Sequence, residues 1–261
     1  MDLGLRGKRA LVTAASKGLG RAVAELLAEE GCRLFVSSHD GGRIEAVAAE
    51  LRAGGAEVHA LACDLGDRAQ VSALFDRAVA QLGGLDVLVN NTVGPPPGGV
   101  LGLDDAQWDA AYESILMSAL RLSRAAIPVM RAGGGGAIVN LASLTAKQPI
   151  DGLALSNAFR PALVGMAKTL AREAGPEVRV NTIATEHILT DRIRDIAAGV
   201  WAREGETGED ALQRMALEVP LRRYGTPREL ASAAVFLASQ AASFITGVTL
   251  PVDGGLDRGL Y

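Results

Sequence analysis

Short apolar runs alternate with segments of helical periodicity along most of the chain. The first run, at residues 10–12, is followed by Val23, Leu26 and Leu27, whose spacing marks one face of a helix that ends near Gly31. The same order recurs, and apolar strands joined by helices indicate a parallel sheet that is covered on both faces. The pattern predicts an α/β fold with a doubly wound, seven-stranded parallel sheet. The predicted strands are residues 10–12, 33–37, 57–61, 85–89, 137–141, 178–183 and 247–252. The longest predicted helices are residues 108–130, 155–173 and 227–239.

Residues 188–224 interrupt this alternation. They hold two helix-like pieces of mixed charge, and Thr207 and Asp210 have the spacing of a capping box. An insertion of this size between a strand and the last helix is typical of a substrate lid or an interaction surface. Because no Pro-, Ser- or Gly-rich linker divides the chain, we expect one domain over residues 1–261, with 188–224 as the lid.

Composition narrows the class of protein. The 261 residues are 49% hydrophobic and 21% charged, which excludes a disordered chain. The net charge of −4 gives no basic footprint for nucleic acid or an anionic membrane. Apolar residues 87–103, 132–146 and 230–252 are interrupted by proline, glycine or polar residues, so we expect no membrane span. The N-terminus lacks the shape of a signal peptide, and the two cysteines lack metal or redox spacing. We therefore expect a cytoplasmic protein with reduced cysteines and no metal.

The turn after the first strand has the composition of a phosphate-binding loop. Residues 13–20 read Thr-Ala-Ala-Ser-Lys-Gly-Leu-Gly, and small residues let the backbone approach a pyrophosphate closely. The N–H groups at the start of the next helix then face the anion. The alternative is a tight turn without a ligand. The residues predicted to form the phosphate site are Thr13, Ser16, Lys17, Gly18, Leu19 and Gly20.

Several motifs in the same order resemble the short-chain dehydrogenase/reductase family. Residues 13–20 resemble its T-G-x-x-x-G-x-G loop, with Ala14 for the first glycine, and residues 90–94 resemble its N-N-A-G motif. Asp64 matches an aspartate that contacts adenine, and residues 252–255 match a C-terminal signature. The resemblance covers nearly the whole chain and is strongest to the branch of 3-oxoacyl-carrier-protein reductases. It implies a Rossmann-type fold, a small-molecule substrate and a homodimer or homotetramer. The further cofactor contacts that it implies are Leu65, Asn90 and Thr190.

The end of the second strand favours NADP(H) over NAD(H). Ser38 lies where the family has an acidic residue that binds the adenosine ribose hydroxyls and repels a 2′-phosphate. His39 follows at a position that arginine often takes in NADP enzymes, and Lys17 lies where a second phosphate contact is common. The alternative is that Lys17 and His39 are solvated surface residues and that Asp40 turns inward.

The catalytic positions of the family are altered. Members of the family use a serine that orients the carbonyl, a tyrosine that donates a proton and a lysine that holds the nicotinamide ribose. Ser143 matches the serine, but Ser156 and Arg160 stand at the tyrosine and lysine positions. A serine hydroxyl is a far weaker acid than a phenol, and an arginine is no proton donor near neutral pH. We therefore expect slow carbonyl reduction by the ordinary route.

Four residues are candidate replacement proton donors: Lys147, Glu186, His187 and Tyr112. His187 is the most suitable, because imidazole exchanges protons near neutral pH. We expect His187 and Lys147 to act jointly. The alternative for each is an exposed loop residue without a catalytic role.

Three functions are compatible with these residues. The first is an atypical NADP(H)-dependent oxidoreductase that reduces a ketone or an oxoacyl thioester. The second is a non-redox enzyme, such as a dehydratase, isomerase or cyclase, in the same pocket. The third is a catalytically inactive nucleotide-binding subunit. Fold alone does not separate the three.

Overall fold

The computed structural model describes residues 2–260, and within them seven strands form one parallel sheet. The strands are β1 (Arg9–Val12), β2 (Arg33–Ser38), β3 (Val58–Ala62), β4 (Val87–Asn90), β5 (Gly136–Leu141), β6 (Val178–Thr185) and β7 (Thr249–Val252). Their order across the sheet is β3-β2-β1-β4-β5-β6-β7, and every neighbouring pair is parallel. The predicted doubly wound sheet is confirmed.

Helices cover both faces of the sheet because side chains alternate along each strand. Val12 of β1 packs in a core with the first, second and last helices, whereas its neighbour Leu11 packs on the opposite face against the third, fifth and sixth helices. The helices are α1 (Gly18–Glu29), α2 (Gly41–Ala53), α3 (Arg68–Leu82), α4 (Asp105–Ala111), α5 (Ser118–Ala132), α6 (Ala154–Ala174), α7 (Asp191–Ile196), α8 (Gly208–Glu218) and α9 (Pro227–Ala238).

The predicted helix at residues 108–130 is divided by a π-helical segment, Tyr112–Met117, between α4 and α5. The hydroxyls of Ser114 and Ser118 donate to carbonyl oxygens four residues earlier. Such back-bonding disturbs the regular helical ladder. At the last strand, the predicted start at residue 247 is too early, because Gly247 has the left-handed φ of 72° and β7 begins at Thr249.

Residues 188–224 contain α7, a π-helical turn at Ala197–Trp201, and α8. Thr207 and Asp210 form the predicted capping box at the start of α8. The segment leaves and returns at one point, because Gly225 N–H donates to His187 O at 3.0 Å and Leu189 N–H donates to Gly225 O at 2.9 Å. It is therefore anchored at its base.

The two cysteines are buried, as predicted, and neither forms a disulfide. Burial raises the pKa of Cys32 to about 12 and that of Cys63 to about 11, so both thiols are protonated near neutral pH. No group of three or more His, Cys, Asp or Glu side chains within residues 2–260 is arranged to hold a metal. Over the same range, no helix has the length and apolarity that crossing a bilayer requires.

Candidate active site

The predicted site residues lie at the carboxyl edge of the sheet. The strand order reverses at β1, which lies between β2 and β4, and open α/β sheets bind ligands in the crevice outside such a reversal. The loops after β1, β4, β5 and β6 meet there.

The turn after β1 packs directly against the loop after β4. Ala14 has a φ of 47°, so it takes the left-handed conformation that glycine usually supplies. Asn91 Nδ2 donates to Ala14 O at 3.1 Å. A Cβ atom at Gly20 would lie 2.4 Å from Ala14 O and 2.6 Å from Asn91 Nδ2. Only glycine at position 20 permits this approach, which sets α1 with its first N–H groups toward the crevice.

Two residues predicted to bind the cofactor, Thr13 and Asn90, make internal hydrogen bonds. Thr13 Oγ1 donates to Asn91 O at 2.7 Å and accepts from Asn91 N at 2.9 Å. Asn90 Nδ2 donates to Asn140 Oδ1 at 2.9 Å and to Ser123 Oγ at 3.1 Å. Both side chains are buried, so their contribution is to position the loop after β4. Asn91, which sequence reasoning passed over, is the member of the pair that lines the crevice.

The crevice opens at one end into a cavity of about 550 Å³, here called the outer cavity. Four residues predicted to contact the cofactor line it: Ser38, His39, Asp64 and Leu65. Ser38 Oγ lies 2.8 Å from Ser16 Oγ, so Ser16 contacts Ser38 rather than the cavity wall. Asp40 does not turn inward, because its side chain caps α2 by accepting from Arg43 N at 2.9 Å.

A second cavity of about 200 Å³, here called the phosphate-side cavity, adjoins the start of α1. Lys17, Gly18, Leu19 and Thr190 line it, which brings together four of the predicted cofactor residues. Thr190 also caps α7, where its Oγ1 accepts from Ile193 N at 3.4 Å.

The predicted catalytic residues surround a third cavity of about 150 Å³, the inner cavity. Ser143, Ser156, Arg160 and His187 all line it, together with Glu186. Ser143 Oγ donates to Glu186 Oε2 at 3.4 Å. Ser156 Oγ accepts from Thr145 Oγ1 at 3.3 Å. The inner cavity therefore contains a hydroxyl, a carboxylate, an imidazole and a guanidinium.

Ring stacking, rather than hydrogen bonding, holds the side chain of His187 in place. Its ring stacks on Tyr224 at 5.3 Å and on Trp201 at 6.1 Å between ring centroids. Nδ1 lies 3.6 Å from Glu186 Oε1, and neither ring nitrogen has a hydrogen-bond partner among residues 2–260. The backbone φ of 52° is left-handed, a conformation that persists in a non-glycine residue only where the surroundings enforce it. The burial of Tyr224 and the nearby Glu186 raise the pKa of that phenol to about 12.

Two of the other candidate donors, Lys147 and Tyr112, are not among the described residues that line the inner cavity. Lys147 Nζ pairs with Asp257 Oδ2 at 2.5 Å, and Lys147 is absent from the described residues that line the cavity. The structure therefore does not bring Lys147 and His187 together as expected. Tyr112 lies partly exposed beside Phe159, with ring centroids 6.0 Å apart.

Arg160 is a buried cation under the inner cavity. Nη1 donates to Leu141 O at 3.0 Å and Nη2 donates to Thr92 Oγ1 at 3.2 Å, whereas Nε has no partner among the described residues. Burial, with a smaller contribution from Arg192, lowers the pKa of Arg160 to about 10, so the side chain stays charged near neutral pH.

Sequence reasoning missed Arg192 on α7. Its Nη2 donates to Pro95 O at 2.5 Å, and it lines both the inner and the phosphate-side cavities. The only signal was its place two residues after Thr190, in a segment interpreted as a lid of mixed charge.

Comparisons with known proteins agree with this geometry. Residues 13–257 match the family model described as Enoyl-(Acyl carrier protein) reductase. The chain is 38% identical to D-threitol dehydrogenase of Mycolicibacterium smegmatis over 257 residues, which is 97% of this chain and 94% of the relative. It is 32% identical to a 3-oxoacyl-acyl-carrier-protein reductase of Staphylococcus aureus over 251 residues, which is 95% of this chain and 98% of the relative. Among solved structures, L-sorbose reductase from Gluconobacter frateurii complexed with NADPH and L-sorbose superimposes with a TM-score of 0.94. The two are 35% identical, and all of each chain is covered.

Replacing Gly20 tests the contact between the first turn and the loop after β4. We expect Gly20→Ala to lower the free energy of unfolding by about 2 kcal/mol, because the methyl group overlaps backbone and amide atoms. Gly165→Ala is the control: that Cβ meets nothing within 4 Å in the interior of α6, so it should raise the same free energy by about 0.5–1 kcal/mol. Urea unfolding measures both, and equal midpoints for Gly20→Ala and the unmodified chain would contradict the contact.

Proposed function

The chain belongs to the short-chain dehydrogenase/reductase family, and we propose that it is an oxidoreductase that uses NADP(H) to reduce the carbonyl group of a small molecule. One observation carries this proposal: Gly20 lets the first turn meet the loop after β4, which is the close approach that a dinucleotide crevice needs. The names of the relatives support it, since D-threitol dehydrogenase and L-sorbose reductase are both redox enzymes and the latter is complexed with NADPH.

The residues of the crevice fit a phosphorylated dinucleotide. The outer cavity of about 550 Å³ has Ser38 where a carboxylate would repel a 2′-phosphate, and His39 stands beside it as a donor. Asp64 and Leu65 would contact the adenine. Lys17 and the start of α1 would hold phosphate oxygens. The coenzyme supplies hydride when it is bound.

His187 is the side chain best placed to donate the proton. It lines the inner cavity beside Ser143, which would orient the substrate carbonyl, and Glu186 lies 3.6 Å from Nδ1. In the proposed step His187 would donate its proton to the carbonyl oxygen of the substrate. Ser156 lines the cavity as a hydroxyl, and Arg160 holds a positive charge there.

The residues at the family's tyrosine and lysine positions favour a second candidate function. Ser156 and Arg160 remove the phenol and the amine of the ordinary proton relay, while the dinucleotide crevice is retained. A non-redox enzyme or an inactive nucleotide-binding subunit would keep the crevice without the relay.

Two further features belong to the proposal. Residues 188–224 would act as a lid, because they contribute Arg192 and Trp201 to the wall of the inner cavity. The chain would assemble as a homodimer or homotetramer, as the family resemblance implies.

Coenzyme preference is the first test of this function. We expect NADPH to bind at least about tenfold more tightly than NADH in isothermal titration, and Ser38→Asp to remove that preference, because a carboxylate repels the 2′-phosphate. Ser72→Asp adds the same charge at an exposed position of α3 and should leave the preference unchanged. Equal or tighter binding of NADH to the unmodified chain would overturn the assignment.

Removing the imidazole is the second test. His187→Asn tolerates the left-handed backbone, and His187→Phe retains the stacking surface. Both should lower kcat for NADPH-dependent reduction by about 10²–10⁴-fold, with NADPH affinity unchanged. The substrates are a ketone panel that includes L-sorbose and an acetoacetyl thioester. Lys147→Met is the matched control and should keep kcat. Full activity in both His187 variants would exclude His187 as the donor.

Restoring the family's relay is the third test. We expect the double variant Ser156→Tyr, Arg160→Lys to gain less than about tenfold on the acetoacetyl thioester, because the new ring must share a cavity of about 150 Å³ and lysine cannot reproduce both hydrogen bonds of Arg160. A gain of about 10² or more would mean that the pocket still suits the ordinary mechanism. If neither protein oxidises NADPH across the panel while both bind it, the second candidate function is favoured.

A further inference from the structure

Two arginines from different helices hold the same loop. Arg160 of α6 donates to Thr92 Oγ1, and Arg192 of α7 donates to Pro95 O. Gly94 lies between these anchor points, and a Cβ atom there would be 2.2 Å from Arg192 Nε. Both guanidinium groups therefore line one wall of the inner cavity, next to the backbone of the loop after β4.

The positive charge on this wall is poorly compensated. Both guanidiniums donate hydrogen bonds to neutral oxygens, and neither forms an ion pair with a carboxylate in the described part of the chain. Arg160 is only 6% exposed, and its Nε has no partner within residues 2–260. Asp195, which is exposed, acts on Arg192 from the phosphate-side cavity, which both residues line. An uncompensated buried cation is destabilising, so a structure that retains one is suited to receive an anion.

The inner cavity also holds the groups of the proposed proton transfer. Ser143, Glu186 and His187 line it, and a ligand carboxylate would be repelled by the Glu186 carboxylate and attracted by the two guanidiniums. A small ligand with an anionic end and a carbonyl end is oriented by this contrast. The volume of about 150 Å³ corresponds to about five water molecules, which limits the ligand to a few heavy atoms.

We propose that Arg160 and Arg192 form an oxyanion site that binds the carboxylate of a small oxo acid, with its carbonyl group directed toward Ser143 and His187. This substrate class rests on the proposed reductase function. Arginine suits the task because its planar donors match both oxygens of a carboxylate.

The pyrophosphate of the coenzyme is a second source of anionic oxygen. Arg160 does not line the phosphate-side cavity, whereas Lys17, Arg192 and the start of α1 do. These groups already offer the pyrophosphate a positive environment. The buried wall with Arg160 is therefore assigned to the substrate.

Binding of oxamate and oxamide to the coenzyme-free protein tests the assignment by isothermal titration. The two probes have nearly the same shape, but only oxamate carries a carboxylate. We expect oxamate to bind at least about tenfold more tightly, since hydrogen bonds to a charged group are worth about 1.5–3 kcal/mol. Arg192→Gln should reduce that preference to near unity, and Arg192→Lys should retain most of it. Arg194→Gln is the matched control, because Arg194 lies on the exposed side of the same helix.

Inorganic pyrophosphate is the third probe and separates the two sources. If Arg192→Gln weakens pyrophosphate binding and leaves oxamate binding unchanged, Arg192 serves the coenzyme and the inference is overturned. Equal binding of oxamate and oxamide overturns it as well. Because these titrations use no coenzyme, a failure of NADPH to bind would count against the proposed function alone. Tight NADPH binding without an oxamate preference would count against the oxyanion site alone.

Discussion

The buried guanidinium of Arg160 links three elements at the carboxyl edge of the sheet. It extends from α6, donates to the last carbonyl of β5 at Leu141 and donates to Thr92 in the loop after β4. A lysine has one ammonium group and could not span both acceptors with the same planar fork. Arginine at this position thus fixes the distance between the loop and α6, and it also fixes a positive charge under the inner cavity. This one side chain therefore contributes to both the shape and the charge of that cavity.

The two halves of the crevice rely on different physics. The dinucleotide half is built from backbone: a glycine without a side chain, a left-handed turn at Ala14 and the N–H groups at the start of α1. The inner cavity is built from side chains that differ in charge and acidity. Ser156 and Arg160 lie near the start of α6, whereas Leu170 and Ala171, further along the helix, pack in the core against the sheet. The side chains that face the inner cavity are therefore separate from those that hold α6 on the sheet.

The sheet could be predicted from the sequence because its strands are apolar on both faces and are separated by clear helical periodicity. The residues of the dinucleotide site could also be predicted from the sequence, since the site depends on small residues in a local turn. The residues of the inner cavity were harder to predict, because the cavity depends on contacts between distant segments. Sequence position did not reveal that Lys147 pairs with Asp257, or that Asn91 rather than Asn90 faces the crevice. Arg192 was missed for the same reason, as only the fold of residues 188–224 carries it to the loop after β4.

The anchoring of residues 188–224 connects the strain at His187 with the makeup of the inner cavity. His187 holds a left-handed backbone at the point where the segment departs, and its carbonyl accepts from Gly225 where the segment returns. Its ring is stacked between Tyr224, at the end of the segment, and Trp201, in its middle. The imidazole is therefore oriented only while the segment is docked, and Arg192 reaches Pro95 only in the same arrangement. Since one anchored segment supplies both the surroundings of the proposed proton donor and half of the proposed oxyanion site, closure over a ligand would assemble the two together. If residues 188–224 were displaced, Arg192 would leave the cavity and Arg160 alone would remain beside it.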